Sequence, residues 1–359
     1  MCDPVAAPVE QADRPYSGPP RLLDVRPARD FRVEHLAGAS NIPLAELQRR
    51  TGELPPAKET FQRGGGLTLV TRSAAETTAA LEVITPAWNV VEVHEATSEF
   101  FRTARELGTS ASGGTEGGSL LWQPSPHLPR VCSALETLNP PAASSRRALD
   151  LGCGKGRDAV WLALRGWSVV GVDNQSCFLS AMQGLAERKT VAARVTGVRL
   201  DLIAAAAAAT AAATAAAGTA SASITSCMAS DEAALRALAS LLRPPLALVT
   251  VSRFMHRTLL DAVVARMPHG CVLAVHHFLD GAVSLKSGRA IKPHDADMRS
   301  LSHGELARRY GGALPEVLLD DEEVSCDGRP VCSYVARKPP LLTLSFVGET
   351  AVVARLRVA

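Results

Sequence analysis

Aromatic side chains are scarce: three Tyr, four Trp and eight Phe make up 4% of 359 residues. Proteins that read unpaired bases stack them on such rings, so the scarcity argues against RNA recognition. Charge of one sign is equally wanting, since 38 Lys plus Arg face 36 Asp plus Glu for a net charge of +2. That balance makes no field to gather nucleic acid or an anionic membrane. The eight cysteines form no CxxC pair, which gives no sign of a zinc ribbon or disulfide framework and fits a reducing compartment. No run of about eighteen strongly apolar residues occurs, and residues 1–20 lack the apolar core of a secretory signal. The expectation is no membrane association and a cytoplasmic location, with organellar targeting left open.

What the chain does have is hydrophobic residue in quantity, 47%, over a length that suits two domains each with its own core. Residues 1–20 are Pro-rich and aperiodic, a lead-in expected to be disordered. From Arg21 to Gly108, β-like runs (RLLDV at 21–25, LTLVT at 67–71, NVVEV at 89–93) alternate with helical patterns such as AELQRR and SAAETTAALEVI. This predicts a small α/β domain on a parallel sheet. The Gly, Ser and Thr of residues 109–119 read as a linker. A second α/β domain is expected over 120–338, with strands RALDL (147–151), WSVVGVD (167–173), VRLDL (198–202), LALVTV (246–251) and CVLAVHHF (271–278). PEVLLDDEEV and RPVCSYVARK are expected to close its sheet as a hairpin with a reversed last strand. The alanine-rich, uncharged residues 203–223 read as a surface insertion, and 339–359 as an unassigned tail.

The densest chemistry lies in ALDLGCGKGRDAV. A strand runs into Gly152, Gly154 and Gly156 and then into a helix from about Arg157. Glycine lets backbone turn sharply and approach a ligand, and the helix start offers unpaired N–H groups. Asp150 precedes the turn, and Asp173 ends the next strand, where a carboxylate can accept both ribose hydroxyls. Dinucleotide sites space glycines as GxGxxG; here the third comes one residue early. DLGCGKG with VVGVD resembles the cofactor signature of class I S-adenosylmethionine-dependent methyltransferases. The resemblance implies a Rossmann-like, mostly parallel seven-stranded sheet, with Asp150, Gly152 and Gly154 around the methionine part of the cofactor, Asp173 on its ribose and Gly156 in the same cofactor-binding turn. It also places Asp201 near the adenine amino group, with a surface acid as the alternative, and Trp122, in LWQPSPHL, either over the cofactor or as a buried interdomain tryptophan.

Ligands in open α/β sheets bind at the carboxyl ends of strands. There the chain reads SRFMHR, with Arg253 and His256, and ends its fifth strand in His276 and His277. A histidine of near-neutral pKa suits proton removal from a methyl acceptor, so Arg253, His256, His276 and His277 are the catalytic candidates. The segment resembles tellurite-resistance-like and related small-molecule methyltransferases, which implies a small-molecule acceptor. Neighbouring strand residues face opposite ways, so His276 and His277 do not chelate one ion together, and no metal is expected.

LLDVRPARDFRVEHLAGASNIPL is similar to the opening of rhodanese domains. Active members end the strand matching LTLVT in cysteine and cradle its persulfide in a CRxGxR loop; here the loop reads TRSAAET, with Thr71 in the cysteine position. A hydroxyl forms no persulfide, and Glu76 in the cradle opposes an anion. No sulfurtransferase activity is expected, and the domain reads as a scaffold or a docking element for a protein partner. The alternative for the whole chain is a binding or regulatory protein in which both domains have lost catalysis.

Overall fold

The computed structural model describes residues 21–55, 66–113, 120–138, 146–216, 228–284, 288–291, 295–325 and 328–340. The lead-in and nearly all of the tail lie outside these residues. The chain divides into two compact units. One is essentially the chain through Pro126, and the other begins at His127 and holds nearly all of the rest.

The first unit runs β1 (Arg21–Asp24), α1 (Ala28–Val33), β2 (His35–Leu36), β3 (Ser40–Asn41), α2 (Leu44–Arg50), β4 (Leu67–Thr71), α3 (Ala74–Ile84), β5 (Val90–Glu95), α4 (Ser98–Glu106) and β6 (Ser110–Ala111). Its four-stranded sheet has the order β3-β1-β4-β5, and every pairing in it is parallel, as the strand and helix alternation predicted. Leu23, Leu67, Leu69 and Ile84 are fully buried in its core. The Gly, Ser and Thr run is not a linker from its start, because Ser110 and Ala111 pair with β2 antiparallel.

The second unit continues with α5 (His127–Leu138), β7 (Arg147–Leu151), α6 (Arg157–Leu164), β8 (Ser168–Asp173), α7 (Ser176–Arg188), β9 (Val195–Arg199), α8 (Leu202–Ala216), α9 (Met228–Leu241), β10 (Leu246–Ser252), α10 (Arg257–Arg266), β11 (Val272–Phe278), α11 (Glu305–Tyr310), β12 (Glu316–Val324) and β13 (Pro330–Arg337). The seven-stranded sheet has the order β12-β13-β11-β10-β7-β8-β9. β9, β8, β7, β10 and β11 run parallel, and β13 lies antiparallel to β11, so the reversed last strand is present. The strand order switches direction between β7 and β10, the place at whose carboxyl ends open α/β sheets bind ligands. Strands β10 and β11 read as apolar runs because both faces are covered.

Two expectations need correction. The third strand of this sheet is Val195–Arg199, three residues earlier than VRLDL, so Asp201 lies beyond it at the start of a helix. The alanine-rich segment is not a surface loop through Ala216: it forms α8, which packs on α9 and α10. Leu202, Ala205 and Ala206 sit inside the main core. Alanine is the best helix former, and its small side chain lets neighbouring helices approach closely. Residues 217–227 lie outside the described residues.

If α8 is a packed core helix, Ala206→Leu overpacks it and lowers stability by about 1–3 kcal/mol. Ala207→Leu, on the exposed side, is expected to stay within about 0.5 kcal/mol. Thermal unfolding of the two variants side by side reads the difference, and equal transitions contradict the packing.

Candidate functional site

The turn after β7 is stitched to β8. Val172 carbonyl oxygen accepts from Gly152 N–H at 2.8 Å and from Cys153 N–H at 3.0 Å. All three glycines of the turn are left-handed, with φ of 72°, 53° and 78° at Gly152, Gly154 and Gly156. Their surroundings differ. A Cβ at Gly156 would meet Met182 Cγ at 2.1 Å, and one at Gly152 would meet Phe254 Cγ at 2.7 Å, so both positions are closed by packing. At Gly154 a Cβ would meet nothing within 4 Å. Gly154 faces open space, as a backbone reserved for a ligand must.

Asp173, at the end of β8, reaches over this turn. Its Oδ2 accepts from Gly154 N–H at 3.0 Å and its Oδ1 from Gln175 N–H at 2.9 Å. Asp150 is 2% exposed, and its Oδ2 has no hydrogen-bond partner among the described residues. Burial pushes its carboxyl well above the usual carboxylate range, and the charges of Asp158 and Asp173 push the same way. A buried carboxylate oxygen left without a donor is costly, and an incoming ammonium or hydroxyl group relieves it. Asp201 caps α8, accepting from Ile203 N–H at 2.9 Å and Ala204 N–H at 3.0 Å through Oδ1.

Parallel register sets Asp150 level with Thr250 on β10, and Ser252 level with His276 on β11. Across the antiparallel pair, His276 stands opposite Ser333. Residues level with one another, or two apart, share a sheet face, so Asp150, Thr250, Ser252, His276 and Ser333 form one polar row. α5 packs on β11 and β13 and contributes His127. His127 Nε2 lies 3.3 Å from Thr250 Oγ1, and His276 Nδ1 lies 3.1 Å from Ser333 Oγ. Both rings are fully buried, and burial lowers each to a pKa of about 3; the neighbouring ring adds to the effect at His276.

The other catalytic candidates take different positions. His277 points to the opposite face from His276, with its pKa lowered to about 4 by burial and by the nearby Arg257 and Arg253. His256 is the N-cap of α10: its Nδ1 accepts from Leu259 N–H at 3.4 Å, and Asp295 and Asp297 stand 3.8 and 3.6 Å from its ring nitrogens. Arg253 is left-handed (φ 57°), and its N–H donates to the His276 carbonyl at 2.7 Å while its guanidinium lies over Phe278. A non-glycine residue held at positive φ beside the strand ends marks a constrained loop. Among the described residues, no cluster of three or more His, Cys, Asp and Glu is arranged to hold a metal ion.

In the first unit, Thr71 is fully buried, and its hydroxyl is 2.7 Å from that of Thr77. Glu76 folds back into the loop, accepting from Arg72 N–H at 2.6 Å and Arg72 Nε at 3.1 Å. Its carboxylate thus fills the loop after β4. Asp24 and Arg26 form a buried bidentate pair, and Asn41 Nδ2 donates to the carbonyls of Asp24 and Arg26. Trp122 is 3% exposed and belongs to this first unit, where Asn41, Ile42, Arg50 and Glu53 are among the residues lining the same cleft.

Residues 148–245 match the family described as a methyltransferase domain. The matched residues begin in β7, include the glycine turn and end just before β10. The chain is also similar to an uncharacterized protein of Schizosaccharomyces pombe, with 26% identity over 151 residues that cover 40% of this chain. The match spans only 42% of the yeast protein's length. Among solved structures, TehB from Haemophilus influenzae is 16% identical, with 58% of this chain and 62% of that chain covered at a TM-score of 0.37. Magnesium protoporphyrin IX methyltransferase from Synechocystis, with bound SAH, is 12% identical, with 59% and 81% covered at a TM-score of 0.37.

Sequence reasoning missed His127, Thr250, Ser252, Ser333 and Phe254. A signal for three of them was present: Thr250 and Ser252 interrupt an apolar strand at a spacing of two, as Ser333 does in its own strand. His127 carried none, because only the folded chain brings it to β10.

The two buried rings have a consequence for stability. An unfolded histidine takes up its proton near 6.5, whereas His127 and His276 in the folded chain do so only at about 3. Between these values the unfolded state binds more protons, so stability falls as pH drops, by about 1.4 kcal/mol per pH unit for each ring. Denaturant melts from pH 7 to pH 4 are expected to show a shallower loss in His127→Phe than in wild type. Identical slopes contradict the burial of a neutral imidazole.

Proposed function

We propose that this chain transfers the methyl group of S-adenosylmethionine to a small-molecule acceptor, and that its first unit is a rhodanese-like domain without sulfur chemistry. When bound, the cofactor supplies a methyl group activated by its positive sulfur. The chain's own residues fit it. Asp150 Oδ2 is a buried acceptor in want of a donor, which the amino group of the methionine part provides. Gly154 leaves backbone open beside it, and Gly152 and Gly156 allow the turn that creates the opening. Asp173 would take the ribose hydroxyls and Asp201 the adenine edge. The observation that carries the reading is this conjunction of an unpartnered, buried Asp150 and an unobstructed Gly154 at the switch point of the sheet.

The alternative of a non-catalytic protein drew its support from the alanine-rich segment beside the cofactor site. That support is weakened, since α8 through Ala216 is a packed helix and leaves the glycine turn intact. Loss of chemistry in the first unit has a direct rationale instead. Thr71 has a bonded, buried hydroxyl, and Glu76 fills the loop with negative charge. A scaffold or a docking element for a protein partner is the role left to that unit.

Calorimetric titration of S-adenosylmethionine into the purified chain is expected to give micromolar binding. Asp173→Ala removes a charge-assisted bond to the ribose and should weaken it by about tenfold or more. A folded chain that takes up no S-adenosylmethionine overturns the reading. For the first unit, Thr71→Cys is expected to produce no thiocyanate from thiosulfate and cyanide above background, because Glu76 still occupies the loop. Measurable turnover by that variant contradicts the account of the blocked cradle.

A further inference from the structure

The polar row on the sheet holds two histidines that face each other. His127 and His276 stack with ring centroids 5.5 Å apart and planes 17° from parallel. Each ring spends one nitrogen on an uncharged hydroxyl, His127 Nε2 on Thr250 and His276 Nδ1 on Ser333. The other two nitrogens, His127 Nδ1 and His276 Nε2, are buried and have no partner among the described residues. Ser252 Oγ, level with His276 in the sheet, lacks one as well.

Leaving a buried polar atom unbonded destabilises the fold. A phenylalanine or leucine at either position would fill space without that penalty, so packing does not account for a stacked pair with two idle nitrogens. The pair lies on the same sheet face as Asp150, near the carboxyl ends of the strands, where α/β sheets bind ligands. We infer that His127 and His276 form the acceptor subsite, where their unpartnered ring nitrogens hold an uncharged small molecule through its O–H, N–H or S–H groups. This rests on the methyltransferase reading and deepens it by assigning the class of acceptor.

The acceptor is uncharged because the groups that meet it are. Thr250, Ser252, Ser333 and two imidazoles that stay neutral at physiological pH offer no counter-charge in a buried setting, where an unpaired ion is strongly disfavoured. Burial that keeps both rings from taking up a proton also makes them weak bases, so the two histidines are positioning residues. They fix the direction of the acceptor's polar hydrogens, and so the direction of its lone pair, without taking its proton.

The test uses the full chain with ¹⁵N-labelled histidine, phenol as the uncharged probe and benzoate as its charged counterpart. Long-range ¹H–¹⁵N spectra are recorded before and after saturation with S-adenosylhomocysteine, with resonances assigned through His127→Phe and His276→Asn. Phenol is expected to shift His127 Nδ1 and His276 Nε2 saturably, leaving the exposed His303 unmoved, and to bind at least about tenfold more tightly than benzoate. Thr250→Val, which keeps both rings, should weaken phenol binding and leave S-adenosylhomocysteine binding unchanged. Silence of the two unpartnered nitrogens, or equal binding of benzoate, overturns the acceptor subsite even where S-adenosylhomocysteine binds. Failure of S-adenosylhomocysteine to bind while phenol still moves the two rings would strike the methyltransferase reading instead.

Discussion

The parallel pairing of β7 with β8 on one side and β10 on the other is the constraint on which the functional end of this protein depends. It holds Asp150 level with Gly171 and with Thr250, and it brings the ends of three strands to one edge. A slip of one residue would turn Asp150 into the opposite layer and present Leu149 or Leu151 in its place. The register is secured by burial of the face opposite Asp150, where Leu149, Leu151, Val249 and Val251 belong to one core. The glycine turn then does what only a fixed strand end allows. Its first two N–H groups return to β8, its second glycine faces open space, and its third starts α6 in a left-handed conformation.

Polar groups in such a core are the part of the structure that stability alone does not explain. Asp150, Thr250, His127, His276 and Ser333 are all nearly or fully buried, and three of their atoms have no hydrogen-bond partner among the described residues. Each costs free energy that an apolar residue would not. They are gathered on one face rather than scattered, and they lie at the end of the sheet where ligands bind. The first unit shows the reverse arrangement. Around its loop Thr71 and Glu76 are bonded within the unit, as are Asp24 and Arg26, so the loop is closed on itself.

Much of this was legible in the sequence because it depends on local pattern. Glycine spacing after an apolar strand identified the turn, and acids at 150 and 173 marked its flanks. The alternation of short β-like and helical runs gave the parallel sheets, and HHF at the end of β11 placed one histidine on each face. What escaped depends on tertiary context. The alanine-rich run carries almost no amphipathic contrast, so its burial at Leu202, Ala205 and Ala206 is decided by neighbouring helices rather than by its own composition. Asp201 reads as part of a strand until the strand is seen to end at Arg199. Trp122 is close in sequence to His127 yet packs in the other unit, a division that composition does not reveal. His127 itself reaches Thr250 across 123 positions, a distance no local pattern encodes.

The central claim, that the turn after β7 and the end of β8 hold the cofactor, is tested most directly by backbone hydrogen exchange with and without S-adenosylhomocysteine. The account predicts slowed exchange concentrated at residues 152–156 and 173–175, with little change in the first unit's loop at 71–77. Protection confined to that loop, or none at 152–156 under saturating ligand, would contradict it.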